Sequence, residues 1–343
     1  MLYNRLYLLS TLTAFGLSLV LTPLVRWIVV RLDFLDRPFG NIKTHGQATP
    51  AMGGLAIGLA FGITLVLLRF WTQFPTGTLR NLRGILLGGS LIFFLGAVDD
   101  VRKPHGLGVV PKFFVQILAA LVLIYFDIRI HFIKPDYLAI LLTIFWVVGV
   151  VNAFNIIDIM DGLSASQAAA AALGFFWIAL PSEAIYVNFT SAVLLGAAAG
   201  FLPYNFSKNL KIFMGDSGSL FLGFVLAAVS LGTDYSRINP LGVFAPLFIL
   251  GIPIYDTLFV MVMRWLKGRS PFMGSRDHFP LRLEAMGYGR GEIVMLTTLA
   301  SLVLSFFAFL ATQVPLLWGF WIYLFVGGEF VLLSLVIARV KME

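Results

Sequence analysis

Residues 84–103 read GILLGGSLIFFLGAVDDVRK. The first fifteen residues of this segment, 84–98, carry no charge, and the run ends at two adjacent acids, Asp99 and Asp100. An uncharged run of this kind is typical of a membrane-spanning helix, which needs about 20 mostly apolar residues to cross the hydrocarbon core. Because the run is short, a tilted or partly re-entrant helix stays open for it and for the next span.

The whole chain has the same apolar character. Of its 343 residues 59% are hydrophobic and 12% are charged, and the mean hydropathy is +0.93. A soluble domain has about 25% charged residues, so this chain has too little polar surface to face water. The sequence predicts an all-α, polytopic integral membrane protein, a bundle of about 10–11 transmembrane helices in one domain over residues 1–343. The eleven candidate spans are 6–31, 52–70, 84–98, 112–126, 138–156, 164–181, 186–203, 217–232, 241–263, 293–312 and 315–340.

Composition also excludes several kinds of site. Cysteine is absent, which excludes disulfides and thiolate metal sites. The four histidines are spread over the chain, so a histidine-built zinc site is not expected. The net charge of +7 suits anionic lipid or an anionic substrate. We expect no nucleic-acid partner.

Lysine and arginine predict the orientation in the membrane. With the N-terminus outside and eleven spans, 17 of the 24 basic residues fall in segments on the inner side, so the C-terminus is predicted to be cytoplasmic. The polar motifs fall in the same inner segments, whereas the outer connections are short and ordinary. An enzyme with a cytosolic substrate explains this sorting better than a scaffold or an anchor.

The acid pair Asp99-Asp100 has two interpretations. In the first, it is a solvated helix end whose charge Arg102 and Lys103 balance. In the second, it is a functional pair at the membrane surface, where one carboxylate is held protonated or gains a cation. Adjacent helical side chains point about 100° apart, so one acid is expected to face the bundle and the other the loops.

A second polar pattern recurs every third residue, at Asn152, Asn155, Asp158 and Asp161. On a helix this spacing makes a stripe that winds slowly around the helix end, which Gly162 would help to terminate. Such residues are costly at a membrane boundary unless they are paired or bind a ligand. Their oxygens suit a hard cation such as Mg²⁺. A capped helix terminus is the structural alternative.

A third motif, Gly215-Asp216-Ser217-Gly218-Ser219, opens the next candidate span. Asp and Ser are good N-cap residues, and a plain cap is one interpretation. The glycines and the free N–H groups of a helix start also suit a phosphate, while Asp216 holds Mg²⁺. Lys208 and Lys211 add positive charge nearby.

Two further features lie toward the C-terminus. Asp256 is placed about 15 residues past the outer entry of its span, roughly 22 Å deep at 1.5 Å per residue. An intramembrane acid is a functional candidate, and a structural partner for a lysine or a backbone N–H is the alternative. The basic loop 264–292 either supplies only topology and lipid contact or binds an anionic substrate, with His278 donating to a phosphate.

These motifs resemble, in order, those of the polyprenyl-phosphate N-acetylhexosamine-1-phosphate transferases of glycosyltransferase family 4, the group containing WecA and MraY. The resemblance covers about residues 43–290 and rests on Pro50 to Gly54, Asp99-Asp100, Asn152 to Gly162, Gly215 to Ser219, Pro253 to Thr257, Ser270-Pro271-Phe272 and Arg276-Asp277-His278. It implies an enzyme of the bacterial inner membrane whose active site faces the cytoplasm. The enzyme would transfer a sugar phosphate from a UDP-sugar to a polyprenyl phosphate and release UMP. A homodimer stays open.

The resemblance also implies roles for individual residues. The Mg²⁺ ligands, with Mn²⁺ as an alternative ion, are Asn155 and Asp216. The catalytic residues are Asp99, Asp100, Asp158 and Asp161. The substrate-binding residues are Lys43, His45, Asn152, Gly215, Ser217, Arg276, His278 and Arg282.

The sequence departs from the family pattern at one place. The run His278-Phe279-Pro280-Leu281 lacks the two or three histidines that the family usually carries there. The loop looks closer to the WecA branch, which favours UDP-N-acetylglucosamine as the donor over a muramyl-pentapeptide. A phospho-N-acetylmuramoyl-pentapeptide transferase stays an alternative, and so does a transporter of ions or lipid-linked sugars, because transporters also carry intramembrane acids.

Overall fold

A computed structural model describes residues 2–37, 48–75, 77–103, 105–181, 184–271 and 274–342. Lys43 and His45, two predicted substrate-binding residues, lie outside the described residues. The chain divides into one compact unit of residues 1–37 and 46–233 and a second that includes residues 234–343. Each unit is described by itself, and the single domain over residues 1–343 stays a prediction.

The first unit is a helical bundle. Its helices are α1 (Leu2–Arg31), α2 (Gly54–Trp71), α3 (Thr78–Val101), α4 (Val109–Tyr125), α5 (Asp136–Ile156), α6 (Leu163–Ala179), α7 (Ile185–Asn205) and α8 (Asp216–Ser230). A short antiparallel pair, β1 (Leu35–Asp36) and β2 (Thr49–Pro50), follows α1.

The second unit begins with a 3-10 helix, Pro240–Phe244. The helices that follow are α9 (Ala245–Ile249), α10 (Gly251–Leu266), α11 (Phe279–Ala285), α12 (Arg290–Gln313) and α13 (Leu316–Ala338). The predicted division between the last two spans is confirmed, because α12 ends at Gln313 and α13 begins directly after Pro315.

The membrane fold is confirmed. The described residues contain seven helices that are long and apolar enough to cross a membrane, or eight if one bent pair counts as a single span. Three further apolar helices, α4, α6 and α8, have 17, 17 and 15 residues. Each predicted span therefore has a helical counterpart, but eleven crossings and their orientation stay predictions.

Helix α3 is longer than its uncharged run. It has 24 residues and begins at Thr78, so the prediction of a short third span is wrong. Arg80 lies in the first turn of α3 and donates a hydrogen bond to the carbonyl oxygen of Tyr125, the last residue of the neighbouring helix α4. Long basic side chains can reach polar surroundings from a helix end, and for this reason the charged residues did not mark the helix start.

Helix α8 lies at the centre of the first unit. Every residue from Ser217 to Ser230 is buried. Glycines let two neighbouring helices approach its first turn, because a Cβ added at Gly54 of α2 would meet the backbone of Gly218. A Cβ at Gly96 of α3 would likewise meet the backbone of Ser217. Small residues therefore bring α2 and α3 against the start of α8.

The predicted span 241–263 is broken rather than continuous. The helical segment that ends at Ile249 and helix α10 are bent by 75°. Pro253 explains the break, because it has no N–H for the carbonyl of Ile249 and its ring would clash with that carbonyl in a continuous helix. The depth predicted for Asp256 assumed a straight span and does not hold, since Asp256 lies only five residues after the start of α10.

Candidate active site

Asp99 and Asp100 end α3 and are both buried, with 2% and 5% of their surface exposed. Asp99 accepts a hydrogen bond from the backbone N–H of Leu107, in the loop that follows α3. Asp100 contacts the start of α8. The expectation that one acid faces the bundle and the other the loops is confirmed, and the interpretation as a solvated helix end is wrong.

The carboxylate of Asp100 caps helix α8 from another helix. Its Oδ1 accepts from the N–H of Asp216 and its Oδ2 from the N–H of Ser217, each at 2.9 Å. The N-cap residue itself, Gly215, has no side chain and a φ of +75°, a conformation that favours glycine. A Cβ at Gly215 would also crowd the carboxylate of Asp100.

This cap corrects one expectation. Gly215 and Ser217 were expected to offer free backbone N–H groups to a phosphate. The N–H groups of Asp216 and Ser217 instead bind Asp100, and those of Gly218 and Ser219 lie 3.1 Å from the carbonyl oxygen of Gly215. The anion at this helix start is therefore a carboxylate of the protein.

Two lysines join three carboxylates at this place. Lys112 Nζ lies 2.7 Å from Asp99 Oδ2 and 2.8 Å from Asp216 Oδ2. Lys103 Nζ lies 2.8 Å from Asp100 Oδ1 and 3.3 Å from Asp216 Oδ1. Burial alone would lower the pKa of Lys103, but Asp216 and Asp100 outweigh it and raise this pKa above its usual range. Lys103 therefore stays charged.

Asn155 lies beside the first turn of α8. Its Nδ2 donates to Ser219 Oγ at 3.0 Å, and that hydroxyl donates to the carbonyl oxygen of Gly215. Asn152, one turn earlier on α5, donates to Gln116 Oε1 of α4 at 2.7 Å. The predicted substrate-binding role of Asn152 stays a prediction, and in this structure its amide group ties α5 to α4.

The polar stripe predicted on one helix is divided by the structure. Helix α5 ends at Ile156, so Asp158 and Asp161 lie in the following turn. Gly162 has a φ of +77° and precedes α6 rather than terminating α5. Its N–H donates to Asn205 Oδ1. The expectation of one continuous stripe is therefore wrong for the two acids.

The turn between α5 and α6 brings Asp158 and Asp161 into different surroundings. Asp161 Oδ2 pairs with Lys211 Nζ at 2.6 Å. Burial raises the pKa of Asp158 to about 7. The charge of Lys103 opposes this shift, and the nearby carboxylates of Asp216 and Asp100 add to it. Asp158 is therefore a carboxyl group that can hold or release a proton near neutral pH.

The donor set at α8 suits a hard cation with few protein ligands. Over the described ranges, no group of three or more His, Asp or Glu residues is placed to hold a metal. Asn155 offers an oxygen beside the first turn of α8, where Asp216 supplies a carboxylate. Mg²⁺ commonly takes one or two carboxylates and completes its shell with waters and substrate phosphates. Asn155 and Asp216 fit that pattern.

In the second unit Asp256 holds His278. His278 Nδ1 lies 2.7 Å from Asp256 Oδ2, and the N–H of Phe279 donates to Asp256 Oδ1 at 3.0 Å. Asp256 is fully buried. The contact with a backbone N–H is the one that the structural alternative for this acid expects, and a functional role of Asp256 stays a prediction. The carboxylate orients the imidazole so that Nε2 faces away from it.

Arg282 was predicted to bind substrate, and its surroundings argue against this role. It is 1% exposed. Its Nη1 donates to the carbonyl oxygens of Ile337, Ala338 and Val340 at the end of α13, and its Nη2 pairs with Asp277 at 2.9 Å. Arg282 therefore caps α13, whereas Arg276 in the same loop is exposed.

The comparisons with known proteins agree with this arrangement. A sequence model described as glycosyl transferase family 4 matches residues 82–234. The chain is 31% identical to the decaprenyl-phosphate N-acetylglucosaminephosphotransferase of Mycolicibacterium smegmatis, over 86% of this chain and 79% of that protein. The chain belongs to glycosyl transferase family 4.

Other relatives of this chain are named for two different sugar donors. A probable undecaprenyl-phosphate N-acetylglucosaminyl 1-phosphate transferase of Bacillus subtilis is 29% identical over 97% of this chain and 90% of that protein. A phospho-N-acetylmuramoyl-pentapeptide-transferase of Thermoanaerobacter is 30% identical over 88% of this chain and 98% of that protein. Membership of a transferase family favours the enzyme over the transporter.

Sequence reasoning missed several polar residues of this family 4 protein. Lys112 was counted only among the basic residues that predict the orientation, and Lys103 otherwise only as a charge that balances the acid pair. Gln116 and Ser219 were given no role. Lys112 meets Asp216 across a separation of 104 residues, which no local spacing indicates. Gln116 had one available signal, because an amide within an apolar helix requires a polar partner.

Proposed function

We propose that the chain transfers N-acetylhexosamine-1-phosphate from a UDP-sugar, UDP-N-acetylglucosamine first, to a polyprenyl phosphate and releases UMP. The observation that carries the proposal is the cluster at the start of α8, where Lys112 bridges Asp99 and Asp216. The names of the relatives from Mycolicibacterium smegmatis and Bacillus subtilis support the acceptor and the sugar.

The reaction brings two anions together. An oxygen of the polyprenyl phosphate attacks the phosphorus that carries the sugar. The anhydride bond between the two donor phosphates breaks, and UMP leaves with the bridging oxygen. The attack needs positive charge around the transferred phosphoryl group. Lys103 and Lys112 supply two such charges at the start of α8. The carboxylate of Asp99 is the base that takes up a proton from the acceptor phosphate.

Asn155 and Asp216 are the residues that would hold Mg²⁺, or Mn²⁺ in its place. When bound, the ion supplies further neutralisation of the phosphate oxygens. Asp158 and Asp161 lie in the turn between α5 and α6. Lys211 pairs with Asp161 and fixes its carboxylate. The predicted substrate-binding role of His278, in the second unit, is a separate proposal, in which Asp256 fixes the orientation of the ring. Arg276 lies in the same loop and is exposed, and its substrate-binding role is likewise a proposal.

The proposed site faces the cytoplasm, where UDP-sugars are made available, and the acceptor lipid reaches it from the bilayer. The bias of basic residues toward the inner segments supports this orientation. A homodimer remains a further prediction.

The choice of donor is tested by competition. Purified protein receives Mg²⁺, polyprenyl phosphate and equal concentrations of UDP-N-acetylglucosamine, UDP-N-acetylgalactosamine and UDP-N-acetylmuramoyl-pentapeptide, and UMP and each lipid product are measured. We expect the N-acetylglucosamine product to dominate. A dominant muramyl product would replace the donor but leave the reaction class intact. Absence of UMP release with every donor would contradict the proposed function.

A further inference from the structure

The two adjacent acids at the end of α3 differ in what occupies their oxygens. Both oxygens of Asp100 accept backbone N–H groups of α8, Oδ1 also accepts Lys103, and the side chain is fully buried. Asp99 accepts one backbone N–H, from Leu107, and pairs with Lys112, whose side chain is 23% exposed. Asp99 is therefore the acid that adjoins the loop after α3.

The contacts of Asp100 all lead to Asp216. One backbone contact is the N–H of Asp216 itself, and the second is the N–H of the next residue, Ser217. Lys103, which Asp100 holds, also reaches the carboxylate of Asp216. An anion at a helix start is favoured by the helix dipole and fixes the first turn. Gly215 cannot supply this cap, because it has no side chain.

From these contacts, we propose that Asp100 is a positioning residue. It fixes the backbone and, through Lys103, the carboxylate of Asp216, and it does not act on the acceptor phosphate. The inference rests on the proposed function in one respect, since it takes Asp216 as a ligand of the divalent cation. Asp99 is then the one member of the pair that touches the acceptor.

The test compares Asp100→Asn with Asp99→Asn in the full-length protein. Asparagine offers its oxygen to one α8 amide but turns an NH₂ group toward the other, so the first turn and Asp216 loosen. A hydrogen bond to a charged group is worth a factor of about ten or more in an equilibrium constant. We therefore expect Asp100→Asn to raise the half-saturating Mg²⁺ concentration about tenfold or more, with kcat at saturating Mg²⁺ within about fivefold of wild type.

Asp99→Asn is expected to give the opposite division. Its half-saturating Mg²⁺ concentration should rise less than that of Asp100→Asn, because the change frees Lys112 toward Asp216 but leaves the first turn of α8 capped. In contrast, kcat should fall by about 100-fold or more, the usual range for loss of an acid or base group. If Asp100 served only the stability of the fold, its replacement would lower the amount of folded protein. The half-saturating Mg²⁺ concentration of the molecules that do fold would stay at the wild-type value.

A second readout does not require turnover. Binding of Mn²⁺ to the protein without substrate, followed by electron paramagnetic resonance, should weaken about tenfold in Asp100→Asn and clearly less in Asp99→Asn. If no donor yields UMP with the wild type, the proposed function fails, and this binding measurement still tests the inference.

An unchanged Mg²⁺ dependence together with a kcat as low as that of Asp99→Asn would overturn the positioning role of Asp100. Equal shifts of Mn²⁺ affinity in both variants would overturn it as well. If Asp100→Asn does not fold, Asp100→Glu keeps the charge but moves the carboxylate by one methylene. The same weakening of Mn²⁺ binding is expected there, and wild-type affinity would count against the inference.

Discussion

Lys112 Nζ lies 2.8 Å from Asp216 Oδ2, so a lysine of α4 is paired with the first residue of α8. The same ammonium group lies 2.7 Å from Asp99. Two carboxylates this close to one lysine repel each other less than they would alone. A change at any of the three residues therefore alters the charge felt by the other two.

Replacing Asp216 by asparagine should abolish transfer without unfolding the protein. Asparagine keeps the size of the side chain but removes its charge, which weakens both Mg²⁺ binding and the neutralisation of the transition state. We expect kcat to fall about 100-fold or more. UMP release at saturating Mg²⁺ measures the effect, and a melting curve in detergent reports the fold. Asp234→Asn, at an exposed turn acid, is the matched control. Activity of Asp216→Asn within a few-fold of wild type would exclude the metal role.

Gly54→Ala should destabilise the protein, whereas Gly62→Ala on the same helix should not. A Cβ at Gly54 would meet the backbone of Gly218, but one at Gly62 has nothing within 4 Å. Overpacking typically costs about 1–3 kcal/mol, while glycine to alanine in an open helix position gains about 0.5–1 kcal/mol. Thermal unfolding of both variants measures the contrast. Equal melting temperatures would show that α2 does not need this close approach.

Arg282→Met should lower stability rather than donor affinity. The change removes the bonds to the last carbonyls of α13 and leaves Asp277 with Lys267 as its remaining cation. Removing one partner of a buried ion pair costs about 3–5 kcal/mol. The exposed Arg276 gives the control, because Arg276→Gln should leave the melting temperature unchanged. A normal melting temperature with a raised donor KM for Arg282→Met would restore its predicted substrate role.

The Asp158 carboxyl group should make stability depend on pH. Its folded pKa of about 7 lies above the unfolded value of about 3.9. The folded state therefore holds the proton more tightly, and this contribution to stability is fully present below about pH 4 and is lost as the pH rises to about 7. Asp158→Asn imitates the protonated form. In Mg²⁺-free detergent, its melting temperature should exceed that of wild type by more at pH 8 than at pH 5. A difference independent of pH would contradict the raised pKa.

The orientation is tested at the two ends of α4 in a chain without cysteine. His105 and His131 are both exposed and lie on loops before and after that helix. In intact cells, His131→Cys should react with an impermeant thiol reagent, and His105→Cys should react only after permeabilisation. The reverse labelling would place the acid pair on the outer face.

The sequence predicted the helices well, because apolar runs such as 84–98 must be removed from water whatever packs against them. It also predicted the divergence of Asp99 and Asp100, which depends only on the helical turn. The end of α5 could not be predicted, since Asp158 and Asp161 continue the helical spacing although the chain has already left the helix. Pro253 was a visible signal for the broken span.

Partners distant in the chain were beyond sequence reasoning. Lys112 pairs with Asp216, and Arg282 caps α13 at residues 337–340, only after folding brings them together. A basic residue in a loop has the same local pattern whether it binds a substrate or a helix end. The role predicted for Arg282 therefore depended on information that only the tertiary structure contains.

The approach of Gly96 to the backbone of Ser217, one turn before Asp100, restricts how this part of the chain can change in evolution. Inserting one residue between Gly96 and Asp100 would rotate the carboxylate by about 100° and shift it by about 1.5 Å along α3. The glycine contact and the cap of α8 could then not form together. Alignments of descendants of this protein should accordingly contain substitutions within residues 96–100 but no gaps, whereas the flanking loops are free to vary in length.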